Sequence, residues 1–181
     1  MDARAEFTKS IILEAFLSLL QIKSANRITV TELVAKAGIN RSTFYKHYLD
    51  IPDLLEKTEL ALLETLRAMI REQLRSTNDL EYSLAQFLAF IQNDGHRYIP
   101  LGSDNGDPSL AAKTFFLLYE EVYPFLAEHL PGKTEIERHL LFSYLSQGCG
   151  GVLLWWIRTG MQESPEYLAN YILTLSQKIV Q

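Results

Sequence analysis

The 181-residue chain is long enough for one or two small domains with a full hydrophobic core. Its 48% hydrophobic and 22% charged residues are ordinary globular values and argue against a disordered chain. The net charge is −5, which excludes a wholly basic nucleic-acid coat, yet residues 23–48 carry Lys23, Arg27, Lys36, Arg41 and Lys46 against Glu32 alone, with His47 besides. A basic patch on an acidic body is either a solvated face or an anion-binding surface. The single Cys149 excludes an internal disulfide framework and suits a reducing compartment. The N-terminal "MDARAEFTKS" has no apolar stretch behind a basic start, so no signal peptide is expected. The longest apolar run, "GVLLWWI", is far shorter than the roughly 20 residues a bilayer needs. These features lead us to expect a cytoplasmic protein with no membrane segment.

In chain order the pattern is helical throughout. In "FTKSIILEAFLSLL", Phe7, Ile11, Ile12, Ala15, Phe16, Leu19 and Leu20 recur at helical spacing. Thr29 and Glu32 match a capping box, so a short helix begins near Val30. Gly38 can supply the left-handed conformation that stops it. Asn40 can cap a helix from Arg41 to about Tyr48. Asp50 can cap a fourth helix with Pro52 in its first turn, running to about Arg75 before "STND".

Asp79 can then cap "LEYSLAQFLAFIQN". A polar, Gly-containing loop is expected over Asn93–Pro108. Helical stretches follow at "SLAAKTFFLLYEEVYPFLAEHL", "TEIERHLLFSYLSQGCGGVLLWWIRTG" and "EYLANYILTLSQKI", separated by breaks at "PGK" and "ESP". No strand-like alternation is sustained. The expected fold class is all-α, with a small basic head, residues 1–50, and a larger acidic helical body, residues 51–181.

Two short helices, 30–37 and 41–48, joined through Gly38, form a helix-turn-helix pattern. A recognition helix enters the major groove and presents its N-terminal residues to base edges, while hydroxyls, cations and amides meet phosphates. On the helix 41–48, Arg41 lies one turn from Tyr45, Ser42 from Lys46 and Thr43 from His47; these pairs are assigned outward. Phe44 and Tyr48 share the remaining stripe and are assigned inward.

The stretch "ITVTELVAKAGINRSTFYKHYLDIPDLLE" (Ile28–Glu56) resembles the DNA-binding region of the TetR family of transcriptional regulators. The resemblance rests on Thr29, on Ala37–Gly38–Ile39, on the aromatic pair Phe44–Tyr45, on His47–Tyr48 and on Asp53–Leu54–Leu55, and it covers about residues 5–60. It implies that Arg41, Ser42 and Lys46 read bases and that Thr29, Thr43, Tyr45 and His47 meet phosphates. One residue departs from the pattern. The family often carries Lys at the position of Ile51, and isoleucine cannot make that phosphate contact.

The resemblance also implies a homodimer built on the last two long helices, about residues 134–180, that binds a palindromic operator in double-stranded DNA. The body would hold a small-molecule or protein effector, and repression would be the usual mode. Two features of the residues agree with an interface. Gly148, Gly150 and Gly151 sit mid-helix, where glycine costs about 1 kcal/mol against alanine unless a backbone or ligand approaches. Trp155 and Trp156 point about 100° apart, so one core cannot easily bury both. The segment "WIRTGMQESPEYLA" with Gly151 is similar to a subgroup related to the activator of dihydroxyacetone kinase genes.

Phe87, Phe90, Phe115, Phe116, Tyr119, Tyr123, Phe142 and Tyr144 either form core or line an effector pocket. No catalytic residue, cofactor or metal is expected. Cys149 with His129 or His139 as base lacks an oxyanion-stabilising loop. His96, His129 and His139 are scattered, and Glu135 with His139 makes only two ligands. The competing class is a TetR-like interaction protein that has lost DNA binding and acts on another protein.

Overall fold

The computed structural model describes residues 3–76, 79–128, 130 and 132–180. Thr77 and Asn78 of the expected "STND" turn, His129, and Pro131 of the expected break lie outside them. Among the described residues there are α-helices and two short 3-10 turns, with no strand. They form two compact units, and each is described by itself.

The first unit contains residues up to Glu64 together with Arg97–Lys113. It begins with α1 (Ala3–Leu20), which buries Ile12, Phe16, Leu19 and Leu20 along one face. A 3-10 turn at Ala25–Arg27 leads to α2 (Val30–Ala37), then α3 (Arg41–Phe44) and the long α4 (Ile51–Ser76). Thr29 caps α2: its hydroxyl oxygen accepts from the Glu32 amide at 3.3 Å. The Glu32 carboxylate, expected to return to Thr29 in a full capping box, pairs instead with the Lys23 ammonium. Gly38 ends α2 at φ 67°, in the left-handed region where a side chain would be strained. At the start of α4, Asp50 accepts from the Asp53 amide, and the Asp53 carboxylate accepts from the Leu49 amide, both at 2.8 Å.

The boundary expected near residue 50 falls inside this unit. Ile51 and Leu54 of α4 share a core with Phe16, Leu20, Leu33 and Phe44. So do Leu101 and Leu110, which lie outside the expected head, residues 1–50. The expected polar loop is partly a 3-10 turn, Gly95–Gly102, and from Arg97 it packs on the head. Leu101 is fully buried there. Asn105 fastens the segment: its side-chain amide donates to the Leu20 carbonyl at the end of α1 (2.9 Å), and its own carbonyl accepts from the Ala25 amide (2.7 Å). Gly106 is required by close approach, since a Cβ there would lie 2.1 Å from the Leu101 carbonyl oxygen. Lys113 bridges Glu59 and Asp107, each at 2.7 Å. Its ammonium and the Ser109 bonds hold the Asp107 carboxyl down at about 2, while burial pushes the Glu59 carboxyl up.

The second unit contains Thr65–His96 and the chain from Thr114. Its helices include α5 (Leu80–Asn93), most of α6 (Leu110–Glu128), α7 (Glu135–Arg158) and α8 (Pro165–Val180). Asp79 caps α5, accepting from the Tyr82 amide at 3.0 Å. Thr134 and Glu137 form a reciprocal capping box on α7. The core gathers Ala85 and Leu88 of α5, Trp156 of α7, and Leu168, Ala169 and Ile172 of α8. The Trp156 indole N–H donates to the Glu163 carbonyl at 3.1 Å, which satisfies the one polar atom of a fully buried ring. Arg71 grips Glu121 with two bonds of 2.7 Å, and Arg67 reaches Glu120 at 2.9 Å, so α4 and α6 are tied by charge within this unit.

By length and composition alone α7 is apolar enough to cross a membrane, although its longest uninterrupted apolar run is only Gly151–Ile157. The helix is apolar around its circumference while most of its surface lies open.

Leu101→Ala tests the placement of residues 97–113. Removing a fully buried leucine from the head core should cost about 2–5 kcal/mol, seen as a lowered midpoint in thermal or denaturant unfolding. A loop on the surface would tolerate the change within about 0.5 kcal/mol.

Candidate nucleic-acid interface

The face of interest is built from the inside outward. Phe44 is fully buried and fixes the rotation of the segment 41–48 about its axis. Tyr48 is half-buried, packs on the same core and lies 5.6 Å from the Phe44 ring. Burial pushes its phenol up, helped by Glu6 and Asp53, so it stays neutral. Arg41, Ser42, Tyr45 and Lys46 are exposed, Tyr45 by 55%, while Thr43 and His47 are partly so.

The expected helix to Tyr48 is regular only to Phe44. Beyond it, Lys46 and His47 donate to the carbonyls three residues back, at 3.3 and 2.9 Å, before Tyr48 returns to Phe44 at 3.0 Å. The tail is therefore a tighter turn. It closes there because the chain must turn into α4, whose start Asp50 and Asp53 already fix.

Asn40 organises the first turn. Its side-chain oxygen accepts from the Thr43 amide (2.8 Å), the Thr43 hydroxyl (2.8 Å) and the Ser42 hydroxyl (2.7 Å). The cap was legible in sequence; its hold on two expected DNA-contacting hydroxyls was not. Arg41 donates from Nη2 to the Thr31 hydroxyl oxygen. No local spacing rule signals that pair, ten residues apart. Thr29 is exposed beside the cap it makes.

The charges are also sorted. Lys23 is spent on Glu32. Arg27, Lys36 and Lys46 are exposed and carry no ion pair among the described residues. Ile51 is buried in the core, so no phosphate contact comes from it. An ammonium does sit at this junction: Lys57 donates to the His47 carbonyl at 3.3 Å, pairs with Asp53 at 2.9 Å, and lies 5.6 Å over the Tyr48 ring.

In the body the aromatic residues divide. Phe115, Tyr119, Tyr123 and Phe142 pack on one another and on His139; Tyr123 stacks on its ring at 4.7 Å, and the Tyr119 hydroxyl lies 2.8 Å from Nδ1. Phe87 and Phe90 are half-buried, while Phe116 and Tyr144 stand exposed. Tyr144 lines an open groove of about 1180 Å³ along α7 and α8, with Leu140, Cys149, Val152, Leu175 and Ile179. Burial pushes the Cys149 thiol up, which disfavours the thiolate a nucleophile needs. Glu135 lies 3.6 Å from His139 Nε2, and among the described residues no group of three or more such ligands forms.

Asn40→Ala should remove the cap and release Ser42 and Thr43. We expect a loss of about 1 kcal/mol in unfolding experiments, with Asn40→Asp retaining most of the stability.

Comparison with known proteins places this geometry. A TetR family model, the transcriptional regulator C-terminal region, matches residues 78–178. A TetR transcriptional regulator from Streptococcus agalactiae 2603V is 32% identical, with 97% of this chain and 96% of that one covered and a TM-score of 0.69. The FadR regulator from Bacillus subtilis, solved in complex with stearoyl-CoA, shares the fold at 14% identity, a TM-score of 0.71 and coverage of 92% and 96%. The dihydroxyacetone kinase operon activator DhaS does so at 19%, a TM-score of 0.61 and coverage of 96% of each chain, a likeness of fold that does not assign this chain to its subgroup. With a model matching more than half its length and a relative of this identity, the chain belongs to the TetR family of DNA-binding transcriptional regulators.

Proposed function

We propose that this regulator acts in the cytoplasm as a homodimer that presents two copies of the segment 41–48 to major grooves of a palindromic or near-palindromic operator. One observation carries the reading. In an acidic chain, Arg41, Ser42, Tyr45 and Lys46 are exposed together on a segment whose other face is anchored by buried Phe44. Arg41, Ser42 and Lys46 read bases. Thr29, Thr43, Tyr45 and His47 meet phosphates, and exposed Lys36 and Arg27 add to the field that steers the duplex. DNA binding is assigned to residues 1–50; effector binding and dimerisation are assigned to the body within 51–181, apart from the stretches 51–64 and 97–113 that pack with the head.

The interface falls on α7 and α8. Ile136, Leu140 and Tyr144 are exposed by 71%, 65% and 65%, and Trp155 by 54% beside a fully buried Trp156. A Cβ added at Gly148, Gly150 or Gly151 would meet nothing within 4 Å among the described residues, so a partner helix has room to approach there. Burying such a surface gains roughly 25 cal/mol per Å² of apolar area. The effector is a small molecule or a protein, and its binding in the body changes the separation of the two heads. Because both half-sites must be met at a fixed spacing, a small change weakens operator binding; repression relieved by the effector is the mode we assign.

Selection of bound fragments from a randomised duplex library should enrich an inverted repeat. No enrichment at low salt would refute the reading. Lys46→Ala should change base preference at one position of each half-site; a purely phosphate-contacting lysine would instead weaken all sequences alike and flatten the salt slope by about one. Leu140→Glu should convert a species of twice the chain mass into one of chain mass at micromolar concentration, while a wild-type protein already monomeric there would exclude the α7–α8 interface.

A further inference from the structure

Arg41 opens a helix of four residues, and its side chain is exposed. An unheld guanidinium in that position would sample many rotamers and lose that freedom on binding. It is held. Nη2 donates to the hydroxyl oxygen of Thr31, in the first turn of α2. We propose that Thr31 is a positioning residue that fixes the Arg41 guanidinium as a preorganised fork, and that the base this fork reads is guanine. The inference rests on the base-reading role given to Arg41 above.

The partner's chemistry matters. A carboxylate at residue 31 would orient the guanidinium but cancel its charge. A hydroxyl orients it through one lone pair and leaves the charge whole. Thr31 has no part in capping α2, because Thr29 supplies that bond. Arginine carries five N–H donors and no acceptor, so the bond to Thr31 leaves donors free to point outward. In the major groove, guanine offers two adjacent acceptors, N7 and O6; adenine and cytosine each place an amino donor there, and thymine a single acceptor beside a methyl group. A fork held in one orientation therefore favours guanine, and favours it more than a mobile one does.

The test uses the full-length protein and the same randomised library with four variants: Arg41→Ala, Thr31→Val, Thr31→Ser and Thr31→Ala. Wild type should enrich guanine at one position of each half-site. Arg41→Ala should lower that preference by about tenfold or more. Thr31→Val, close in shape but without the hydroxyl, should lower it at the same position by about threefold to tenfold, leaving other positions and the salt slope unchanged. Thr31→Ser, which keeps the hydroxyl, should restore it. Thr31→Ala gives the same readout should valine lower the melting temperature.

Three results overturn the proposal while sparing the base-reading role: a Thr31→Val profile equal to wild type, a uniform loss on all sequences with a flatter salt slope, or loss at a base other than guanine in Arg41→Ala. An Arg41→Ala protein that keeps every preference removes the base-reading role itself, and the inference with it.

Discussion

Phe44 sets the geometry on which the head depends. Its ring is fully buried among residues of α1, α2 and α4, with Leu101 and Leu110 in the same core. A side chain locked on one side of a short helix decides which side meets solvent. The outward positions, Arg41, Ser42, Tyr45 and Lys46, follow from that rotation. Loosening the core would blur the face, because four residues of regular helix have little hydrogen bonding of their own to hold an orientation.

Electrostatics then works locally against the global sign. A chain of net charge −5 would repel a duplex if its charges were evenly spread. Here Glu32, the one carboxylate within the basic stretch, is paired with Lys23, and the exposed cations are left facing solvent. Screening weakens the repulsion that carboxylates exert beyond about 8–10 Å. The nearby cations therefore dominate at contact distance. Asn40 and Thr31 act at a finer scale, directing hydroxyls and a guanidinium without adding charge.

The body presents a different physical problem. Its core is satisfied by α5, α8 and the Trp156 side of α7, yet among the described residues Ile136, Leu140, Tyr144, Leu154 and Trp155 of α7 remain exposed. Exposed apolar side chains gathered on one helix are the surface on which the proposed interface rests. The mid-helix glycines fit the same view, since they lower helix stability and a Cβ at any of them would meet nothing within 4 Å among the described residues. Glu120 and Glu121 of α6 are meanwhile engaged by Arg67 and Arg71, which adds charge pairing to the apolar packing of Phe115, Tyr119 and Tyr123 on Phe142.

The residues by themselves determined the all-α class, the caps at Thr29, Asn40, Asp50 and Asp79, the left-handed stop at Gly38, and the inward placement of Phe44. These are local properties, set by periodicity and by side chains that bond their own backbone a few residues away. Tertiary structure decided the rest. Leu101 and Asn105 are isolated in a polar stretch without periodicity, so nothing local reveals that they complete a core and close the end of α1. The regular helix ends at Phe44 because the entry to α4 is pinned by Asp50 and Asp53. Glu32 turns from its cap toward Lys23, and Thr31 meets Arg41, through contacts between elements. Such pairings depend on where folded backbones bring distant residues together, a quantity that the order of residues along the chain encodes only through the whole fold.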